Sequence, residues 1–112
     1  MKKNAVTFTD FDKIDLRAGT VVSAKTVSGS KKLLELAVDL GEEYGIVTIL
    51  TGLSEYYIPE DFTGKKFAFV ANLEKKKIFN LLSEGMLLIA DAKDKPLLVP
   101  IIESVPNGTK LL

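Results

Sequence analysis

The chain has 112 residues, no cysteine and no histidine, and its 15 basic side chains balance 15 acidic ones, so its formal net charge is zero. These absences remove disulfides, thiolate chemistry, the usual zinc ligands and the commonest general base near neutral pH, which excludes most hydrolase and metalloenzyme mechanisms. No catalytic residue, cofactor or metal is expected. One domain over residues 1–112 suits the length, and with no apolar run near the ~18 residues of a membrane span, the chain reads as a cytoplasmic protein without a membrane partner.

Charge is unevenly distributed along this neutral chain. Residues 33–64 hold seven acids and no lysine or arginine, whereas residues 1–32 carry seven bases against three acids. Residues 65–80 contain Lys65, Lys66, Lys75, Lys76 and Lys77 against Glu74 alone. Such segregation makes an electropositive face if the fold gathers the basic segments, and a scattered solvated surface if it does not.

In chain order, Thr9-Asp10-Phe11-Asp12 has the hydroxyl-to-carboxylate spacing of a helix start and predicts a short helical turn over Asp10 to Ile14. Ala18 to Val27 reads as a strand, with Gly19 as its bulge or bend. Ser28-Gly29-Ser30 reads as a turn carrying Lys31 and Lys32 behind it. Leu34, Leu36, Val38 and Leu40 alternate with Glu35 and Asp39, the period-two mark of a half-buried strand. Ile46 to Leu50 is apolar on both faces and is expected deep in a sheet. Ser54 begins a turn of helix that Pro59 stops. Phe67 to Asn72 and Gly85 to Ala90 complete the set. Five short strands without a long amphipathic helix indicate an all-β, closed or nearly closed barrel with short helical turns. The apolar Pro96 to Ile102 is surplus to it, so residues 96–112 form an extension that either packs outside the barrel or meets another subunit.

Phosphate-binding glycine loops are absent, since no two glycines lie two residues apart. Gly52-Leu53-Ser54 opens like a nucleophile elbow but meets Tyr56 where glycine is required, and Ser28-Gly29-Ser30-Lys31 fits a serine–lysine pattern that a turn explains better. Glu42-Glu43 and Glu60-Asp61 fall in loops and read as surface charge. The stretch "NLEKKKIFNLLSEGM" (72–86) differs from these. Lys75, Lys76 and Lys77 offer charge for phosphates, Asn72 an amide for a base edge, Ser83 a hydroxyl, and Phe79 a ring for stacking. An aromatic among leucines usually packs, so Phe79 reads first as core and only second as a platform.

"DFDKIDLRAG", "LLELAVDLG" and "ANLEKKKIFNLLSEGMLL", in this order and with "VPNGTKL" near the end, resemble the tRNA-binding domain found at the carboxyl end of many bacterial methionyl-tRNA synthetases and as free-standing small proteins. The resemblance implies a five-stranded oligonucleotide/oligosaccharide-binding (OB-fold) barrel without its own catalysis, structure-selective for tRNA, and a homodimer joined through residues 96–112. It also implies an aminoacyl-tRNA synthetase as a further partner. By position it assigns nucleic-acid contacts to Asn72, Lys76, Lys77, Ser83 and Met86; the charge and ring already noted add Lys75 beside them and Lys31, Lys32 and Phe79 as secondary candidates. Three departures stand out: Lys75 replaces a usual proline, Phe79 a frequent arginine, and Leu81 a general glycine, the last closing a turn where backbone would approach nucleic acid. A related barrel acts in protein export, so a chaperone-like or protein-interaction dimer is the alternative.

Overall fold

The computed structural model describes residues 1–112. Its core begins with the alternating strand β2 (Leu34–Asp39). Leu34, Leu36, Val38 and the following Leu40 are all fully buried, while the residues between them point away from the core. Phe62, Phe67 and Phe69 fill the remaining interior, with Phe62 edge-on to Tyr57 at 6.1 Å between ring centroids.

β1 (Leu16–Thr26) is long enough to serve two neighbours in succession. Its first half pairs with β4 (Lys66–Val70), from Leu16 opposite Val70 to Thr20 opposite Lys66. Its second half pairs with β2, from Thr20 opposite Asp39 to Thr26 opposite Leu34. A strand that changes partners midway lets a small sheet curl towards closure. The bulge that helps it bend is at Val22, between the Val21–Val38 and Ser23–Ala37 pairs, rather than at Gly19. Gly19 instead provides room, since a Cβ there would lie 2.8 Å from Leu40 Cδ2 and 2.9 Å from the Asp39 carbonyl oxygen. It lets the end of β2 close over β1.

The main sheet runs in the order β3-β2-β1-β4-β7, where β3 is Ile46–Thr51 and β7 is Met86–Leu87. β3 therefore lies at an edge, not deep in the sheet, and Ile46 is 65% exposed. Val47, Ile49 and Leu50 are buried all the same, because the chain entering β7 closes the barrel against that edge. Glu84 N donates to Thr48 O (2.8 Å), Thr48 N to Glu84 Oε1 (3.3 Å), and Leu50 N to Ser83 Oγ (3.1 Å). Gly85 makes this seam possible, since a Cβ there would sit 2.7 Å from Val70 O. The result is the nearly closed, five-stranded antiparallel OB-like barrel.

Helix is confined to α1 (Phe8–Phe11) and a 3-10 turn at Pro59–Asp61. Thr7, not Thr9, caps α1, accepting from Asp10 N at 3.1 Å, so the turn starts earlier than expected. The turn expected from Ser54 is present, with Tyr57 N donating to Leu53 O at 3.0 Å, and it ends before Pro59, which itself opens the 3-10 turn, as its fixed φ allows at a first helical position. No helix is long and apolar enough to cross a membrane.

The last segment packs outside the barrel. β8 (Ala90–Asp91) and β9 (Pro96–Leu97) form a short hairpin, and Tyr57 Oη donates to Pro96 O at 2.7 Å. Lys66 Nζ donates to Glu103 O (2.8 Å) and Val105 O (2.6 Å). Beyond them the chain runs along the β1 edge that β2 leaves bare: Gly108 N reaches Ala18 O, Ala18 N reaches Thr109 O, and Leu111 N reaches Leu16 O, at 2.8–2.9 Å. Val99 and Ile102 stay exposed on this extension.

Candidate nucleic-acid interface

The lysine run forms the first strand of a small ribbon. β5 (Lys76–Ile78) pairs with β6 (Leu81–Ser83), with Ile78 opposite Leu81, Lys77 opposite Leu82 and Lys76 opposite Ser83. That leaves Phe79 and Asn80 as a two-residue connection, and both have positive φ, 54° and 63°. Positive φ at both central residues suits the right-handed twist of a tight hairpin. Leu81 is thus a strand residue; the position in the turn that glycine would suit best is filled by Asn80, whose short polar side chain tolerates the left-handed region.

Phe79 is 56% exposed at the ribbon tip and does not join the core. Its ring leans on the turn between β1 and β2, where a Cβ built on Gly29 would lie 3.3 Å from Phe79 Cε2. The same turn carries Lys31 and Lys32 and is tied by Ser30 Oγ, which accepts from Lys32 N (3.3 Å) and Leu33 N (3.2 Å). So the β1–β2 connection and the ribbon between β4 and β7 meet at one end of the barrel. In barrels of this topology these two connections border the oligonucleotide-binding face. Glu42 and Glu43 follow the opposite end of β2, roughly 20 Å away for a strand of this length.

The lysines do not share one face. Cross-strand partners lie on the same side, so Lys76 shares its side with Ser83 and Lys77 shares the other with Leu82. Lys75, Lys76 and Lys77 are all exposed. The ribbon therefore carries positive charge on both surfaces, within reach of a polyanion crossing its edge.

Three other candidates sit at the ribbon base, with different duties. Ser83 is buried; its hydroxyl accepts from Leu50 N and lies 3.3 Å from Gly85 O as a donor. The sequence suggests that hydroxyl for RNA, but it is committed to the barrel seam because β3 has no strand to pair with there. Asn72 is exposed, yet its Oδ1 accepts from Asp15 N (2.8 Å) and its Nδ2 donates to Lys13 O (2.7 Å), holding the chain ahead of β1 in place. One N–H of that amide remains free of these contacts. Met86 pairs with Val70 and is 44% exposed.

Composition and spacing do not point to a buried ionic cluster around Arg17. Its guanidinium grips Asp15 with two hydrogen bonds, Nε–Oδ1 2.7 Å and Nη2–Oδ2 3.0 Å. Nη1 adds Glu43 Oε1 and Gly108 O, each at 3.0 Å, and Tyr44 Oη donates to Asp15 Oδ2 at 2.6 Å. The hydrogen bond from Arg17 holds the Asp15 carboxyl below its ordinary range against the opposing effect of burial. Arg17 is raised chiefly by Asp15, Glu43 is lowered by Arg17, and Tyr44 is raised by its bond to Asp15. The only signal in the sequence is that Asp15 and Arg17 are two apart, hence on one face of an extended chain. This cluster joins β1, the β2–β3 loop and the C-terminal segment; it is a clamp, away from the ribbon tip.

A cavity of about 610 Å³ opens beside the clamp, lined by Phe8, Phe11, Ile14, Leu16, Asn72 and Leu111 among others. It lies between α1 and the C-terminus, with Lys13 and Lys110 among its lining, and is not lined by Lys75, Lys76 or Lys77. No cluster of three or more acidic groups is placed to hold a metal ion.

Residues 16–110 match the family described as "Putative tRNA binding domain". A methionine–tRNA ligase of Clostridium tetani is 43% identical over 111 residues, covering 97% of this chain and 17% of that protein. The chain thus spans about one sixth of the length of such relatives. Among solved structures, a MetRS-related protein from Pyrococcus horikoshii superposes with a TM-score of 0.93 at 38% identity, covering 98% of this chain and 100% of that one. The chaperone CsaA of Bacillus anthracis gives 0.85 at 29% identity, covering 97% and 100%.

Proposed function

The chain belongs to the putative tRNA-binding domain family, and on that premise we propose that it binds tRNA at the end of the barrel where the ribbon tip meets the β1–β2 turn. The nearness of Phe79 to Gly29 carries this reading, because it brings the turn bearing Lys31 and Lys32 beside the ribbon bearing Lys75, Lys76 and Lys77. The lysines hold phosphates, Met86 adds apolar contact at the ribbon base, and the free N–H of Asn72 reaches a base edge or sugar. Lysine–phosphate contacts carry no base identity, so recognition is of tRNA shape rather than sequence. The domain performs no chemistry; it works free-standing or as an accessory subunit that raises the local tRNA concentration for a methionyl-tRNA synthetase. Two copies associate through residues 96–112, where Val99 and Ile102 offer apolar surface.

Titration of total tRNA at two salt concentrations tests this reading. With about three phosphates neutralised on a single-stranded segment, the log–log salt slope is near −2. Lys76→Ala with Lys77→Ala removes most of that slope and weakens all tRNAs alike. Absence of binding at tens of micromolar in low salt rejects the reading.

A second reading rests on the similarity to the chaperone CsaA and on the exposed Phe8, Val99 and Ile102. In it, apolar surface holds unfolded chains. Suppression of aggregation that competing tRNA leaves untouched supports this version, and suppression abolished by tRNA returns the site to RNA.

A further inference from the structure

The turn residue Phe79 combines two features that folding alone does not favour. A left-handed φ of 54° is disfavoured for any side chain with a Cβ and more so for a bulky one. Glycine or asparagine would make the same two-residue turn without strain, and asparagine already fills the second position. The ring gains little burial in return, being 56% exposed. Strain retained at an exposed position points to a role outside the fold.

Its surroundings narrow that role. One edge of the ring lies beside Gly29, where an added Cβ would be 3.3 Å from Cε2, so the side chain extends from the ribbon tip toward the β1–β2 turn instead of folding back on the ribbon. Lys31 and Lys32 follow on that turn, and Lys77 and Leu82 form the second cross-strand pair below the tip. An aromatic face between cationic side chains is what single-stranded nucleic acid uses: bases stack on the ring while the phosphates on either side meet ammonium groups. A base inside a helix has both faces occupied by its neighbours and cannot stack there. We propose that Phe79 is a stacking platform for an unpaired base, so that the tRNA element held at the ribbon tip is a single-stranded loop or end and not a stem. This rests on the tRNA-binding reading and adds which part of the RNA the site accepts.

The test uses the full chain and three variants, Phe79→Gly, Phe79→Ala and Phe79→Trp, titrated with total tRNA, with a short single-stranded RNA carrying 2-aminopurine, and with the duplex of that RNA and its complement. Phe79→Gly is the decisive variant, because glycine relieves the left-handed strain; its melting temperature should equal or exceed that of the wild type. The expected result is a loss of about tenfold in single-strand affinity for Phe79→Gly and Phe79→Ala, retention in Phe79→Trp, and an unchanged salt slope. Duplex affinity should be the same in all four proteins, and quenching of 2-aminopurine should disappear in Phe79→Gly. If tRNA binds in a lysine-dependent way but Phe79→Gly binds the single strand as well as wild type does, the platform is overturned and the tRNA reading stands. If wild type binds no RNA, both fall, and a protein ligand for the exposed ring takes their place.

Discussion

Arg17 and Asp15 form a two-pronged ion pair, 2.7 and 3.0 Å, on a strand whose arginine is only 4% exposed. Because the same guanidinium reaches Glu43 and the Gly108 carbonyl, it fastens the C-terminal segment to the first half of β1. Arg17→Met should cost about 3 kcal/mol in urea unfolding, the low end for breaking a buried pair, since the Asp15 side chain keeps some contact with water. Amide exchange at Gly108 and Leu111 should speed up at the same time.

The clamp also makes a pH-dependent contribution to stability. Asp15 is lowered in the folded state, so its contribution is fully present above the unfolded carboxyl value and is lost as pH falls through the depressed folded one. Tyr44 is raised, so its contribution is present below the ordinary tyrosine value and is lost as pH climbs through the higher folded one. Thermal melts across pH should therefore show an acid limb that Asp15→Asn flattens and an alkaline limb that Tyr44→Phe flattens.

Ser83 separates architecture from recognition. Ser83→Ala leaves the buried Leu50 N–H without its acceptor, a loss of about 1–3 kcal/mol. Affinity for tRNA, measured well below the melting temperature, should change less than about twofold, because a small deletion under the seam moves no phosphate contact. Gly85→Ala should be worse for stability, since its Cβ would meet the Val70 carbonyl at 2.7 Å and backbone has little room to yield.

The proposed association of two copies makes its own demand on the extension. Sedimentation should give twice the chain mass, and Ile102→Asp should return it to one chain with the melting profile of the barrel otherwise retained. A single-chain mass for the wild type would remove the dimer while leaving the ribbon untouched.

Strand β2 is plain in the sequence because its burial depends on a period of two and on nothing distant. β3 is placed wrongly by its pattern for a nonlocal reason: its free edge is closed by backbone and side-chain hydrogen bonds with Ser83 and Glu84, which no local pattern connects to it. Asn72 and Ser83 stand out as polar groups next to lysines, but their partners lie 57 and 33 residues away, so their structural work is invisible in the sequence. Phe79 reads as core because hydrophobic residues seldom occupy turns. The signal against that reading is Asn80, a residue suited to positive φ standing between two short runs that pair as strands. Lysine clustering is legible as charge, though not its division between two faces of a ribbon.

The most direct test of the central claim is the tRNA titration at two salt concentrations, run on the wild type and on Lys76→Ala with Lys77→Ala. Electrostatic capture at the ribbon requires wild-type affinity to fall steeply with salt, and the double variant to bind about tenfold or more weakly at low salt with a shallower slope. Equal affinity and equal slope for the two proteins would contradict it.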